Sequence, residues 1–491
     1  MNRLQLIAKN TAAMFAANVV SKILAFFYLM YTARYLGARE FGLLSFAMAV
    51  IGIFSIYTDM GLNPYMVREV ARDHSLSGTY LRSLTKIKLV FCILTYIFIA
   101  IFLQLFDYPR DTVIITHLMA LSLIFNALAS ISYALFQSFE RMEYVSLGQI
   151  INALILLVGT LVAIRLHFTT AAFAALNLLA SIITFLYVLI ALRRAMPQIF
   201  HFLTLPISNH NPAIAYRAMV RQAFPFGLSG LFIGIYYYID TIMLSLLVPN
   251  ANEAIGWYNA SYRIVIFLMV IPSAVISALY PILSKSFLSS GKDLTFIFER
   301  ISKYIISISV PTCVGISLLA PRFILIIYGS NYQGSSVCLQ ILVWSFLFAA
   351  IGAIFGNTLN AINRQMTLTM ITGIGMVFNI VLNLVLIPHY SYNGAAWVAD
   401  LTRFLIIIAE YLLLARYAIT PPLRSCLKIA FQVFVASLVM GIFIVVAQNI
   451  ALPWIIMASV AIYGLVFYLL RGIDEADTIL FHRLWARGSN G

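Results

Sequence analysis

Long apolar stretches, separated by shorter polar connections, occupy most of the chain. A helix needs roughly 17–25 apolar residues to cross about 30 Å of hydrocarbon, and we place fourteen such stretches along the sequence. No stretch alternates apolar and polar positions as a membrane β-strand does. The pattern therefore predicts an all-α polytopic membrane protein with fourteen transmembrane helices, whose cores begin near Thr11, Leu43, Leu89, Val113, Leu147, Ala171, Ala223, Trp257, Ile301, Ser336, Met366, Gly394, Lys428 and Leu452.

The composition excludes a soluble globular protein. Hydrophobic residues make up 62% of the 491 residues and charged residues 10%, with a mean hydropathy of +0.96, whereas soluble domains are about 45–50% apolar. The four cysteines are isolated, so they predict neither a disulfide framework nor a metal site. No GxxxxGK[ST] loop is present, which argues against ATP binding.

The basic residues are distributed unevenly between the two sides of the predicted helices. The formal net charge is +14, and of 28 Lys and Arg residues in the connections, 23 fall on the side that holds the termini and five on the other. Cytoplasmic loops of membrane proteins carry the excess of Lys and Arg, so both termini are predicted to be cytoplasmic. This topology explains the positive charge without a nucleic-acid partner, which would require a basic patch on one folded face.

The longest polar interruption divides the predicted helices into two sets. The predicted organisation is an N-terminal six-helix bundle (1–195), a cytoplasmic linker (196–221), a C-terminal six-helix bundle (222–417), two additional transmembrane helices (418–471) and a cytoplasmic tail (472–491). The similarity of Glu40-Phe-Gly42 to Glu253-Ala-Ile-Gly256 favours a duplicated unit. Because six is an even number, both copies enter the membrane from the same side, which predicts a parallel repeat.

The seventh predicted helix contains Pro225, followed by Gly227, Gly230 and Gly234. Proline and glycine weaken the helical backbone and allow bending. Small residues also allow close helix packing in membranes. The sequence leaves both interpretations open.

Three basic residues, Lys22, Arg263 and Arg403, lie inside predicted helices, whereas the other Lys and Arg residues lie between them. An ionisable residue within a membrane segment is a candidate functional residue. Each cation also has a candidate structural partner; in the same order, these are Asp59, Asp240 and Asp400.

For each cation, two interpretations remain open: a functional residue of the membrane segment, or a structural residue paired with the nearby carboxylate. Asp59 and Asp240 would pair with their cations across helices, whereas Asp400 lies three residues from Arg403 on one helix, where opposite charges neutralise each other. A breakable pair could also gate a transporter. Glu410, six residues before Arg416, is expected to be an end-of-helix group.

Several short motifs occur in order along the first twelve predicted helices. They are Ala33-Arg-Tyr-Leu-Gly37 with Phe41-Gly42, Asp59-Met-Gly61-Leu62 with Arg68-Glu69-Val-Ala-Arg72, Ile255-Gly-Trp-Tyr258-Asn-Ala-Ser-Tyr-Arg263, Ile326-Ile-Tyr328-Gly329 with Tyr332, and Asn379 to Asn383 with Ile387-Pro388 and Gly394-Ala395-Ala396. In this order and spacing, the chain resembles the polysaccharide transporters (Wzx-type flippases) of the multidrug/oligosaccharidyl-lipid/polysaccharide exporter superfamily. Ser391 departs from the pattern, because glycine is expected there.

The resemblance implies a flippase in the inner membrane of a bacterium. Its substrate would be an undecaprenyl-pyrophosphate-linked oligosaccharide, moved from the inner to the outer leaflet for O-antigen, exopolysaccharide or capsule biosynthesis. Two six-helix bundles would rock around a cationic central cavity, with H⁺ or Na⁺ as coupling ion and no other cofactor. Further partners would be membrane lipids and polysaccharide polymerase and chain-length proteins.

Elementary electrostatics favours the same chemistry. A pyrophosphate that crosses a medium of low dielectric constant needs compensating positive charge. The residues predicted to line the lumen and bind substrate are Lys22, Asp59, Asp240, Arg263, Asp400 and Arg403.

Two alternatives remain at the level of sequence. A drug or cation exporter of the same superfamily would have an anionic lumen, and the carboxylates at Asp59, Asp240, Asp400 and Glu410 keep that interpretation open. A membrane polymerase or glycosyltransferase would be expected to carry catalytic acids or an arginine-rich site on a long external loop. The sequence has no such loop, so we expect the protein not to be an enzyme.

Overall fold

The computed structural model describes residues 3–204, 216–273, 291–417 and 423–474. These residues form helices joined by short connections and contain no strand. Short 3₁₀ turns lie at His74–Leu76 and Ser330–Tyr332. The helices are α1 (Arg3–Asp59), α2 (Leu62–Arg72), α3 (Ser77–Leu105), α4 (Arg110–Ser138), α5 (Met142–Arg165), α6 (Thr170–Ala195), α7 (Pro197–Thr204), α8 (Tyr216–Leu247), α9 (Asn252–Leu268), α10 (Gly291–Ile327), α11 (Ser335–Ala361), α12 (Gln365–Arg416), α13 (Leu423–Val446) and α14 (Leu452–Leu469).

The described part of the chain contains twelve helical segments that are long and apolar enough to cross a membrane. The prediction of an all-helical membrane protein is therefore confirmed. Ten of the predicted spans each correspond to one helix, whereas the first and second both lie in α1 and the eleventh and twelfth both lie in α12. These two long helices are interrupted by non-helical residues, Gly37 in α1 and Ser391 in α12.

The chain divides into two compact units. Unit 1 consists of residues Met1–Arg263, Ile327–Tyr332 and Thr372–Val398, and unit 2 consists of residues Ile264–Ile326, Gln333–Ile371 and Ala399–Gly491. The division into two six-helix bundles stays a prediction. The middle of the predicted linker, residues 205–215, and most of the predicted tail, residues 475–491, lie outside the described residues.

Each unit has its own buried apolar core. In unit 1, α4 packs against α6, and α1 packs against α4, α5 and α8. In unit 2, Ile301 and Ile305 of α10 share a buried cluster with Ile354 and Phe355 of α11 and with Leu414 of α12. Close packing of this kind holds each set of helices at a defined rotation about their axes.

The two glycines of the weak sequence repeat face each other in unit 1. A Cβ atom placed on Gly42 of α1 would overlap the carbonyl of Asn252, and one placed on Gly256 of α9 would overlap the carbonyl of Ala38. Helices in membranes approach this closely where small residues leave room for the partner's backbone. The glycines therefore set the distance between α1 and α9.

A tight turn separates α1 from α2 and packs against α8. Met60 and Gly61 have φ angles of 43° and 81°, in the left-handed region that glycine adopts at no steric cost. A Cβ atom on Gly227 of α8 would overlap the Met60 backbone, whereas Gly230 has only the tip of Ile56 nearby. At Gly227, the structure therefore shows the close-packing role that the sequence left open.

The interruption in α12 reverses the chain. Ser391 has a φ of 50° and a ψ of −134°, and a Cβ atom on Gly394 would overlap the carbonyl of Leu386. In a straight helix, eight residues would separate these positions by about 12 Å. The two halves of α12 are thus separate helices joined by a sharp turn at a residue where the sequence resemblance expects glycine.

Candidate functional site

Lys88 is fully buried in the middle of α3. Its Nζ donates hydrogen bonds to Asp59 Oδ1 at 2.7 Å and to Asn63 Oδ1 and Ser130 Oγ at 2.8 Å each. An ammonium group has three protons to donate, so these contacts use its full donor capacity. We call these four residues the Lys88 cluster; the turn after Asp59 brings Asn63 of α2 to the same cation.

This arrangement corrects two sequence predictions. Lys88 was expected in a cytoplasmic connection, because the apolar run begins at Leu89, but α3 begins eleven residues earlier, at Ser77. Lys22 was the candidate partner of Asp59, but Asp59 pairs with Lys88. Within the described residues, the exposed Lys22 makes no ion pair.

Lys88 lies on the packed face of α3, which the structure identifies. Buried residues recur at intervals of three or four along α3, which is the spacing of one helix face. The face consists of Leu81, Leu84, Lys88, Cys92, Thr95 and Ile99. A lysine on such a face belongs to the packed side of the helix.

Asp240 lies buried in α8 and contacts residues of two other helices. Its Oδ2 accepts a hydrogen bond of 2.6 Å from the Tyr258 hydroxyl in α9, and its Oδ1 accepts one of 2.7 Å from Asn383 Nδ2 in α12. Asn383 Nδ2 also donates to Asn379 Oδ1 at 2.9 Å. We call these four residues the Asp240 cluster.

The Asp240 cluster has the chemistry of a small cation site. Carboxylate and amide oxygens are the ligands that hard cations prefer, and a membrane-embedded carboxyl can also carry a proton. Asn383 Oδ1 is buried and has no hydrogen-bond partner among the described residues. No group of three or more His, Cys, Asp or Glu side chains with metal-site geometry occurs in the described ranges.

Arg263 of α9 is half-buried and has weak hydrogen-bond partners. Its Nη2 lies 3.5 Å from the sulfur of Met48, and a thioether is a weak acceptor. Its Nε is buried without a partner in the described part of the chain. The sequence makes Asp240 a candidate partner of Arg263, but in the structure the two residues have different hydrogen-bond partners. The guanidinium thus keeps capacity to bind an anion.

Asp400 and Arg403 lie three residues apart on α12 in unit 2, and both are buried. Arg403 Nη1 donates to the Ser345 carbonyl at 3.2 Å, and Asp400 Oδ1 is buried without a hydrogen-bond partner among the described residues. Mutual neutralisation of the two charges on one helix stays a prediction. A substrate role for either residue stays a prediction.

The surroundings of Glu410 differ from those that the sequence predicts. It was expected to be an end-of-helix group, but it is 4% exposed, and its Oε2 has no hydrogen-bond partner among the described residues. It faces Gly352 and Gly356 of α11, which leave room for the carboxyl group. The sequence position alone did not reveal that this face of α12 packs against α11.

Comparisons with known proteins agree with this fold. The family model described as polysaccharide biosynthesis protein matches residues 7–287, and the MatE family model matches residues 225–385. The solved structure of lipid II flippase MurJ in an inward closed conformation matches with a TM-score of 0.74 at 16% identity, covering 95% of this chain and 99% of that chain. The two proteins share a fold.

Curated relatives include transporters of glycans. A probable low-salt glycan biosynthesis flippase, Agl15, of Haloferax volcanii is 24% identical, and the match covers 79% of each chain. A putative O-antigen transporter of Shigella flexneri is 22% identical, over 79% of this chain and 93% of the relative. Since the family model matches more than half of the residues, this chain belongs to the polysaccharide biosynthesis protein family of membrane transporters.

Proposed function

We propose that this protein is a flippase for a lipid-linked oligosaccharide, with undecaprenyl pyrophosphate as the lipid carrier. It would move the repeat unit from the inner to the outer leaflet of a bacterial inner membrane for surface polysaccharide biosynthesis. Family membership and the similarity to a glycan flippase and an O-antigen transporter support this proposal. In this role the protein transports and does not catalyse a covalent step.

The single observation that carries the proposal is the state of the Arg263 guanidinium. A pyrophosphate in a low-dielectric region needs charge-assisted hydrogen bonds. Lys88 has its donors occupied by the Lys88 cluster, whereas Arg263 has a buried Nε without a described partner and one thioether contact. Arg263 is therefore our first candidate for a pyrophosphate contact, and the exposed Lys22 is the second.

We propose fourteen crossings with both termini in the cytoplasm. Helices α1 and α12 contain 57 and 52 residues, so each extends about 80 Å if straight, more than twice the about 30 Å of hydrocarbon. The breaks at Gly37 and Ser391 support two crossings in each helix. The excess of basic residues on one side supports the orientation.

The coupling ion of the proposed transport cycle would bind at the Asp240 cluster, as H⁺ or Na⁺. The buried carboxylate and the unpartnered Asn383 Oδ1 support this assignment. The cluster joins three helices, so loading and release of the ion would change how firmly they are held together. Alternating access would follow from this coupling.

A deletion strain tests the proposed function. Without the protein, lipid-linked repeat units should accumulate on the cytoplasmic leaflet, as measured by accessibility of the sugars to an impermeant probe in oriented vesicles. Repeat units that reach the outer leaflet but stay unpolymerised would refute the flippase and favour a polymerase.

Variants at Arg263 test whether its guanidinium contacts the pyrophosphate during transport. Arg263→Gln should abolish complementation of the deletion at normal protein abundance, and Arg263→Lys should restore part of it, because charge is kept but the planar donor array is lost. Arg110→Gln, at an exposed position at the start of α4, is the matched control and should complement fully. Full transport by Arg263→Gln would remove this residue from the mechanism.

A drug or cation exporter of the same superfamily is the second candidate. The MatE model match and the buried Glu410 carboxyl favour it. An exporter deletion should raise sensitivity to cationic dyes and leave the surface polysaccharide unchanged. Deletion of a flippase should reduce the surface polysaccharide and leave the sensitivity to cationic dyes unchanged.

A further inference from the structure

A cavity of about 780 Å³ lies in unit 1 beside α3 and the first turns of α8. This size is within the range of roughly 300–1,000 Å³ that is typical of small-molecule sites. Its lining combines three basic residues, Lys86, Arg217 and Arg221, with apolar side chains. None of the residues proposed for substrate transport lines it.

Along each of the two helices, a basic lining residue is followed by an apolar one. On α8, Arg217 and Arg221 are one turn apart and share a face, and Phe224 follows three residues later. On α3, Lys86 is followed by Val90 four residues later. In the orientation proposed above, both helices run inward from the cytoplasmic face, so an apolar lining residue lies about one turn deeper than the cations.

The lining residues are accessible from outside the unit. Lys86, Arg217 and Arg221 are exposed, and Val90 and Phe224 are 55% and 49% exposed. The three cations make no ion pair within the described ranges. A lysine or arginine that snorkels keeps its charged end in water and needs no binding site. These three side chains instead line a single cavity together with apolar residues.

We propose that this cavity binds an anionic phospholipid of the cytoplasmic leaflet. Its phosphate contacts Lys86, Arg217 and Arg221, and its acyl chain lies along Val90, Phe91 and Phe224. Basic pockets between transmembrane helices on the cytoplasmic side are suited to such headgroups. The leaflet follows from the orientation proposed above, whereas the phosphate and acyl-chain contacts do not depend on the transported substrate.

Lipid retention by the purified full-length protein tests the proposal. The protein is equilibrated with mixed micelles or nanodiscs of phosphatidylglycerol and phosphatidylcholine, and bound lipid is counted by native mass spectrometry. The wild type should retain phosphatidylglycerol selectively. The combined variant Lys86→Gln/Arg217→Gln/Arg221→Gln should bind it more weakly by on the order of 100-fold, since each basic residue contributes about 1 kcal/mol near a membrane surface.

Two further variants keep the test specific. Arg72→Gln/Arg193→Gln/Arg194→Gln removes the same charge from exposed positions outside the cavity and should retain the lipid. Val90→Trp fills the apolar end without changing charge, and it should also lower retention. Thermal unfolding in lipid-free detergent verifies that each variant is folded.

Several outcomes would overturn the proposal. They are equal retention by the two triple variants, equal binding of phosphatidylcholine, and displacement of the lipid by millimolar inorganic phosphate, which would indicate a site for a free anion. Stronger binding of a polyprenyl pyrophosphate than of phosphatidylglycerol would assign the cavity to the substrate route instead. These measurements of lipid binding are independent of the test of the flippase proposal, which measures transport in cells that carry the deletion or a variant of Arg263.

Discussion

Lys88 of α3 donates a hydrogen bond of 2.7 Å to Asp59 at the end of α1, 29 residues earlier in the chain. The lysine is fully buried, and the aspartate side chain is 29% exposed. A buried cation is stable only when its counter-ion and hydrogen-bond partners are all in place. Together with the hydrogen bonds to Asn63 and Ser130, this pair holds the end of α1 and the start of α2 against α3 and α4.

Removing the lysine tests this role. Lys88→Met should lower the free energy of unfolding by about 2–3 kcal/mol, somewhat less than for a fully buried pair, because water can solvate the partly exposed Asp59. Asp59→Asn should cost more, since it leaves Lys88 buried without a counter-ion. Denaturant titration of the purified protein in detergent measures both effects.

The double variant Lys88→Met/Asp59→Asn completes a thermodynamic cycle with these two single variants. It should be more stable than the sum of the single losses predicts, because neither charge is left alone. Lys86→Met, two residues away and exposed, is the control and should change stability by under about 0.5 kcal/mol. Additive effects of the two single variants would show that the pair is energetically uncoupled.

Asp240→Asn should separate ion coupling from folding. The amide keeps the shape of the side chain and hydrogen bonding to Tyr258, but it cannot carry a proton and it lacks the negative charge that holds a cation. We expect normal abundance and transport that no longer responds to a sodium or proton gradient, measured in proteoliposomes. Ser245→Ala, later on the same helix, should leave the response intact; unchanged ion dependence in Asp240→Asn would place the coupling site elsewhere.

Ser391→Gly should stabilise the protein. Ser391 has a φ of 50°, and a non-glycine residue in such a region costs of order 1–3 kcal/mol. Glycine removes the Cβ atom that causes this cost, so an apparent gain of about 1 kcal/mol is expected in denaturant titration. Ser391→Ala keeps the Cβ atom and should give no gain; equal gains in both variants would show that the backbone here is unstrained.

Gly227 and Gly230 of α8 should respond oppositely to the same substitution. Gly227→Ala places a Cβ atom against the Met60 backbone, and such overpacking costs about 1–3 kcal/mol. Gly230→Ala has space, with the nearest atom of Ile56 at 4.0 Å, and alanine is favoured over glycine in a helix by up to about 1 kcal/mol. Thermal unfolding in detergent compares them, and similar midpoints would rule out a specific contact at Gly227.

The hydrophobic pattern alone predicted the helical membrane class and the positions of ten helices, because each crossing requires a long apolar run. Ordered short motifs predicted the family. The pattern did not show that Lys88 belongs inside α3, since the apolar run was counted from the next residue. It also did not distinguish the packed face around Glu410 from the end of a helix.

The partners of the charged residues were decided only by the tertiary structure. Asp240 bonds to Asn383, 143 residues away, and Asp59 bonds to Lys88 and not to Lys22. In a membrane, the lipid-facing and the packed sides of a helix are both apolar, so hydropathy carries little information about rotation around the helix axis. That rotation, set by contacts such as those at Gly42, Gly227 and Gly256, determines which polar side chains meet.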